Sequence, residues 1–176
     1  MTAVLTRPDR TRPPLVSDAE LERALRELLP DPVKDVIARG DVRTMTCRSP
    51  WSLHICDGRK PVENRPKNIA GEWRGRLLVH TGLQHDHAGA AWAARLLGVD
   101  PPTPAACSPG HWIGAVDLVD AHPADGQCCG PWSRPDGCHL VLRNPTRFRR
   151  PIPGSGSLGL RRVTDPELIA AALHGH

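Results

Sequence analysis

The 176-residue sequence has few aromatic residues and little lysine. It contains no tyrosine, one phenylalanine and five tryptophans, so few side chains are available to stack on a ligand. Lysine occurs 3 times against 20 arginines, a bias that GC-rich genomes also produce. A lysine inside a motif is therefore a specific chemical choice in this chain.

Long apolar runs and cysteine knuckles are also missing. No run approaches the ~18 apolar residues of a transmembrane helix, and Arg and Pro occupy the N-terminus, where a signal peptide is apolar. The six cysteines include no C-x-x-C pair, which favours free thiols over disulfides or a zinc knuckle. We therefore expect a cytoplasmic protein with no membrane partner, no metal and no other cofactor.

Composition and charge describe a globular chain with a weak preference for anionic partners. Apolar residues make up 39% and charged residues 24%, as in a single domain with extensions. The net charge of +4 permits a polyanionic partner without requiring one.

Four segments follow from the pattern along the chain. Residues 1–16, rich in Pro and Arg, are expected to be a disordered arm. Residues 17–40 read as two helices, the first with a capping box and a leucine stripe. Residues 41–163 form the main domain, and a second capping box opens a C-terminal helix and tail over 164–176.

Within the main domain, short strands alternate with helices. This pattern predicts an α+β fold around a small β-barrel. Strands are expected over residues 42–47, 76–81, 112–120, 138–142 and 158–163, helices over 50–56 and 86–97, an extended segment over 60–65 and a loop over 121–137.

The segment from Gly58 to Arg65 fits G-x-K-x-x-E-x-R. The Lys60 ammonium suits a phosphate or a carbonyl, and Glu63 suits a base amino group or a water to be activated. Strand alternation places Glu63 and Arg65 on one face, and Lys60 joins them only if the chain bends near Pro61. The alternative is a structural salt-bridge network that closes the barrel.

Asp117 interrupts an apolar strand, and a buried carboxylate needs a partner. It is expected either to face Lys60 or Arg65 in a cleft, or to reach solvent at a strand edge.

A basic stretch surrounds Phe148. It is read as a loop that tracks a phosphate backbone, with a solvated charged loop as the alternative. Its arginines are Arg143, Arg147, Arg149 and Arg150.

Dispersed histidines and cysteines allow weaker metal hypotheses. Helix capping and buried free thiols explain them as well. The residues concerned are His80, His85, Asp86 and His87, and then Cys107, His111, Cys128, Cys129, Cys138 and His139.

Further motifs occur in a fixed order around G-x-K-x-x-E-x-R. Over roughly residues 41–163, this order resembles bacterial proteins of the ASCH domain family, whose barrel is similar to the PUA domain of RNA-modifying enzymes. The motifs are Arg48-Ser49-Pro50-Trp51 before it, then Trp73 to His80, Ile113 to Val119, Pro151 to Gly154 and Gly159-Leu160.

The resemblance implies a cleft lined by the motif and a nucleic-acid ligand, more often RNA. Two departures stand out: a branch that hydrolyses acylated nucleosides has threonine in place of Glu63, and the family's closing Gly-Leu-Trp is Gly-Leu-Arg here, ending at Arg161. The expected ligand-binding residues are Gly58, Lys60, Glu63, Arg65, Trp51 and Asp117. The four arginines of the basic stretch are expected to contact the nucleic-acid backbone.

Three functions remain open. The leading one is an RNA-binding module that holds one nucleotide or nucleoside in the cleft. The second is a small hydrolase of a modified nucleoside or RNA, with Lys60 and Glu63 as its catalytic residues. The third is a protein-interaction module that uses the N-terminal helices. The oligomeric state is left open.

Overall fold

The computed structural model describes residue 39, residues 41–126 and residues 128–176. The expected arm and N-terminal helices lie outside the described residues, apart from Arg39. None of the described helices has the length and hydrophobicity that crossing a bilayer requires. The strands are β1 (Arg43–Ser49), β2 (Val62–Arg65), β3 (Gly75–His85), β4 (His111–Pro123), β5 (Cys138–Pro153) and β6 (Leu160–Arg162); the helices are α1 (Trp51–Cys56), α2 (His87–Leu97) and α3 (Pro166–His174), with a 3₁₀ helix at Ala105–Cys107.

The strands form one mixed sheet in the order β2-β5-β4-β3-β1-β6. Only β1 and β3 pair in parallel among the described strands, and the other ladders are antiparallel. A parallel pair needs a crossover connection, which α1 and β2 supply. The α+β class expected from the sequence is confirmed.

The sheet curls without closing into the expected barrel. β2 and β6 are its edges, and no ladder joins β2 to β1 or β6 among the described residues. In a flat sheet β2 and β1 would lie about 19 Å apart, at ~4.8 Å per strand. Nevertheless Arg65 of β2 donates from Nη2 to the Thr46 carbonyl of β1 at 2.9 Å. A side chain, rather than a backbone ladder, therefore bridges the opening.

Two apolar clusters cover the two faces of the sheet. Alternation along β3 sends Leu77 and Val79 to the inside of the curl and Leu78 to the outside. Inside, α1 adds Ile55 and Cys56 to a fully buried core. Outside, α3 packs its alanines on the sheet. The outer cluster consists of Val42, Leu78, Ala115, Phe148, Val163, Ala171 and Ala172.

The basic stretch expected to be a loop is the middle of the 16-residue strand β5. A bulge opposes two residues of β5, Asn144 and Pro145, to the single residue Val116 of β4. Asn144 has a left-handed φ of 48°. Asn144 and Pro145 are residue types typical of loops, which is why the sequence predicted one here. The long strand β4 nevertheless pairs with β5 on both sides of the bulge.

Other element boundaries moved by a few residues. β4 takes residues 121–123 from the expected loop. α3 begins where expected, but its cap is Asp165 rather than Thr164: the Asp165 carboxylate accepts from the Glu167 and Leu168 amides at 2.8 and 3.3 Å.

Candidate functional site

The three charged residues of the motif form one chain of ion pairs, in which Lys60 and Glu63 are buried and Arg65 is half-buried. Lys60 Nζ lies 2.8 Å from Glu63 Oε2, and Arg65 Nη2 lies 3.1 Å from Glu63 Oε1. The bend that this requires comes from the end of α1: Gly58 has a left-handed φ of 75°, and the amides of Arg59 and Lys60 both bond the His54 carbonyl. The chain thus turns Lys60 onto the Glu63 side.

The Glu63 carboxylate is ionised and held between two cations. Burial alone would raise the pKa of Glu63, but Lys60 and Arg65 outweigh burial and lower it below its ordinary value. Lys60 also donates to the Val62 carbonyl. Two of its three N–H donors are used among the described residues, which leaves one for a ligand.

A pH titration of stability should detect this buried carboxylate. Because the folded-state pKa of Glu63 is lowered, its contribution is present above the pKa of the unfolded chain, about 4.3, and is lost as pH falls through the folded value. We expect Glu63→Gln to lower the free energy of unfolding at pH 7 and the deficit to shrink below about pH 4.3. Chemical denaturation of both proteins from pH 7 to pH 3 measures this deficit, and a deficit independent of pH would contradict the ionised state.

Three tryptophans line a cavity of about 320 Å³ beside this chain. Trp51 opens α1, Trp92 lies in α2, and Trp132 lies in the loop before β5. The Trp92 and Trp132 ring centroids are 5.4 Å apart at 83°, and those of Trp51 and Trp132 are 6.4 Å apart at 86°. These two pairs are nearly perpendicular and the Trp51 and Trp92 planes are tilted by 58°, so different faces and edges are turned to the cavity.

Asp86 fixes this aromatic wall. Its Oδ1 accepts from the Gly89 amide at 2.8 Å and caps α2, while its Oδ2 accepts from Trp51 Nε1 at 3.2 Å. α2 can approach this closely because residue 89 is glycine: a Cβ there would lie 2.2 Å from the Trp51 ring.

The charges around the tryptophan cavity balance. Lys60 and Arg134 contribute two positive charges, and Glu63 and Asp86 two negative ones. A neutral, planar group suits this interior better than a phosphate does. The Arg134 side chain is about 70% exposed, which leaves its guanidinium accessible at the mouth.

Two smaller cavities, each of about 220 Å³, flank the first. One shares Asn64 and Arg134 with it and adds Arg65. The other shares Lys60 and adds Gly58 and Arg143. The structure therefore brings five of the expected ligand-binding residues to three cavities that share lining residues: Gly58, Lys60, Glu63, Arg65 and Trp51.

Asp117 occupies neither of the two environments expected for it, a cleft shared with the motif or a solvent-exposed strand edge. It is fully buried and faces neither solvent nor the motif: Oδ1 lies 2.9 Å from Arg76 Nη1, and Oδ2 accepts from Asn144 Nδ2 at 2.8 Å. Arg76 also donates to Thr146 Oγ1 and to the Ala172 carbonyl of α3, at 2.9 and 2.8 Å. This network joins β3, β4 and β5 to α3 on the outer face of the sheet.

The four arginines of the basic stretch separate in space. Arg143 reaches the cavity that it shares with Lys60. Arg147 pairs with Asp57 at the end of α1, at 2.7 Å. Arg149 and Arg150 are exposed on β5, outside the three cavities described.

Most residues of the metal hypotheses also separate, although the His85 and His87 rings stay adjacent, with centroids 4.6 Å apart. His80 bonds the Gly154 carbonyl at 3.0 Å, His85 bonds Ser49 Oγ, and Asp86 caps α2. Cys107 and Cys138 are buried thiols. Four side chains do converge at the C-terminal end of β4. The ligand atoms of His122, Cys128, Cys129 and His139 all lie within 4.8 Å of one another.

Sequence reasoning missed Trp92, Trp132 and Arg134 as cavity residues. They come from α2 and from the loop before β5, and no spacing rule connects those segments to Trp51. The available signal was compositional, since a chain without tyrosine brings three of its five tryptophans to one cavity.

Comparison with known proteins finds several matches among solved structures. No protein-family model and no curated protein matches the chain. A crystal structure of a serine-to-alanine mutant of ZmASCH from Zymomonas mobilis is similar with a TM-score of 0.44 and 14% identity, over 73% of this chain and 91% of that chain. Its name carries the ASCH designation of the family that the motif order resembles. At this level of likeness, the function has to be argued from the residues of this chain.

Proposed function

We propose that the protein is a nucleic-acid-binding module that holds one unpaired base of single-stranded RNA in the tryptophan cavity. The observation that carries this proposal is the wall of Trp51, Trp92 and Trp132 beside the Lys60–Glu63–Arg65 chain of ion pairs. Stacking on aromatic rings is how single-stranded bases are commonly held.

Size and charge support a base as the occupant. A cavity of about 320 Å³ is at the lower end of the range for small-molecule sites, which suits a base or a nucleoside. Because the charges that line the cavity balance, moving a neutral base from water into it costs little electrostatic free energy. The free donor of Lys60 is available to a base carbonyl. The remaining lone pair of Asp86 Oδ2, which already accepts from Trp51 Nε1, is available to a base amino group.

The phosphates are assigned to the rim. Arg134 lies at the mouth and, with Arg65, lines the neighbouring cavity of about 220 Å³. Beyond them, Arg143, Arg147, Arg149 and Arg150 lie along β5. These guanidiniums can neutralise a backbone without reading sequence.

A base inside the cavity must be unstacked and unpaired. Single strands present such bases directly, whereas a duplex would have to flip one out at a cost of a few kcal/mol. The preference for RNA over DNA rests on the family resemblance of the sequence.

The state of Glu63 favours binding over hydrolysis. A general base works best with a pKa near the operating pH, and the pKa of Glu63 is lowered, on balance, by Lys60 and Arg65 after the opposing effect of burial. A carboxylate held by two cations is a good fixed acceptor and a weak proton acceptor.

Binding of a short single-stranded RNA should weaken as salt rises, because counterions are released from the phosphates. The double variant Arg149→Glu/Arg150→Glu should bind more weakly for all sequences alike, with a log–log salt slope less steep by about 1–2. Fluorescence anisotropy of a labelled RNA at several salt concentrations measures both effects.

The matched control is Arg161→Glu/Arg162→Glu, which reverses two adjacent exposed charges on β6, a strand that pairs with β1 and contributes no residue to the three cavities described. We expect the control to bind more tightly than the β5 variant. Equal loss in both variants would remove β5 from the interface, and no binding of any single strand by wild-type protein at low salt would overturn the proposed function.

A further inference from the structure

Four potential metal ligands meet where β4 passes into β5. His122 of β4 and His139 of β5 are direct partners in the antiparallel ladder. The connecting loop carries Cys128 and Cys129 over the same face, so two strands and one loop deliver four side chains to one point.

Three of the ligand-to-ligand distances are close to those of a tetrahedral zinc site, and a fourth, from His139 to Cys128, is about 0.5 Å shorter. Zinc bonds of ~2.3 Å to sulfur and ~2.05 Å to nitrogen place ligand sulfurs about 3.8 Å apart and sulfur and nitrogen about 3.6 Å apart. The Cys128 and Cys129 sulfurs are 3.9 Å apart. His122 Nε2 lies 3.4 and 3.5 Å from them, and His139 Nδ1 lies 3.1 Å from Cys128 Sγ.

Both imidazoles are already oriented as ligands. His122 Nδ1–H donates to the Asp120 carboxylate at 2.7 Å, which leaves the Nε2 lone pair directed at the two sulfurs. His139 Nε2 donates to the Arg134 carbonyl at 2.8 Å, which leaves its Nδ1 lone pair directed at Cys128. Such outer partners, which fix the tautomer and ring orientation, accompany metal-bound histidines.

We infer that His122, Cys128, Cys129 and His139 form a Cys₂His₂ zinc site. Two thiolates with two imidazoles favour zinc among the common divalent ions, and binding releases the protons of both thiols. Four protein ligands complete the tetrahedron, so the site is structural rather than catalytic. The sequence predicted no metal because the ligands are not arranged in a knuckle; the β4–β5 ladder brings them together instead.

The zinc site would hold one wall of the tryptophan cavity. The loop that carries the two cysteines continues into Trp132 and Arg134, whose carbonyl accepts from His139. Asn64 holds the same segment from β2, donating to the Trp132 carbonyl at 2.9 Å and accepting from the Arg134 amide at 3.0 Å. Zinc on one side and Asn64 on the other would set the position of Trp132.

Metal analysis of the full chain tests the site. Protein made with zinc present and purified under reducing conditions without metal-affinity chromatography should carry about one zinc per chain by mass spectrometry. Cys129→Ser and His122→Gln should each lose most of it. Cys107→Ser, which changes a buried thiol that bonds Thr103 outside the cluster, should keep it. Cobalt(II) added to metal-free protein should give the absorption of tetrahedral thiolate coordination, and Cys129→Ser should lack that spectrum.

Three results would overturn the site: wild-type protein with only trace zinc and no cobalt spectrum, a Cys128–Cys129 disulfide in freshly reduced protein, or full zinc retention in Cys129→Ser. None of these readouts depends on RNA. Zinc binding without RNA binding would contradict the proposed function alone, and RNA binding by a protein that never binds zinc would contradict the zinc site alone.

Discussion

Replacing Asp117 with alanine should lower the free energy of unfolding by about 3–5 kcal/mol, one of the two largest effects expected of any single change here. The reason is the charge that remains: Arg76 is 7% exposed, and its partner Asp117 is fully buried 2.9 Å away. Without the carboxylate, the guanidinium stays in the sheet–α3 interface with no counter-charge among its described contacts. Chemical denaturation at pH 7 measures the change.

The control for this prediction is an exposed pair of the same kind. Asp136 lies 3.2 Å from Arg134 with both side chains about 70% exposed. Asp136→Ala should therefore cost less than about 1 kcal/mol. A loss below about 1 kcal/mol for Asp117→Ala as well would mean that the buried network does not stabilise the fold.

Trp92→Ala should weaken RNA binding roughly 5- to 150-fold, the equivalent of ~1–3 kcal/mol for one stacked base. Trp92 is the suitable tryptophan to change because its side chain is 39% exposed on α2, so the variant should fold. It contributes a ring to the cavity without capping a helix or entering the core clusters. Anisotropy titrations of the same labelled RNA with both proteins measure the effect.

Leu96→Ala is the matched control for Trp92→Ala. Leu96 lies one turn further along α2, is 42% exposed and lies outside the tryptophan cavity. It should leave affinity unchanged within about twofold. Equal affinity in wild-type protein and Trp92→Ala would exclude stacking on this ring.

Local patterns predicted most of the secondary structure. The helix expected over residues 86–97 matches α2 within one residue, and the second capping box predicted the start of α3, although the cap is Asp165 rather than Thr164. β5 was predicted too short because Asn144 and Pro145 locally resemble a loop. What keeps them in a strand is the long partner β4, and the sequence of β5 alone does not contain that information.

The sequence also predicted only the part of the site that local spacing defines. Lys60, Glu63 and Arg65 are close in sequence, so their spacing could suggest a shared site. The salt bridges of the structural alternative are also present, but they do not close a barrel: Arg65 bonds the Thr46 carbonyl of β1 across an open sheet. Trp132 and the zinc cluster depend on which strands become neighbours, and single-sequence periodicity does not specify that pairing.

The indole N–H resonances of the five tryptophans test the central claim most directly. Nitrogen-15 spectra of the full chain, titrated with a short single-stranded RNA, should show Trp51, Trp92 and Trp132 moving together. Trp73, bonded to Asp41, and Trp112, bonded to Thr44, lie outside the cavity and should stay in place as internal controls. RNA that binds while the three cavity resonances stay still would contradict the placement of a base in the tryptophan cavity.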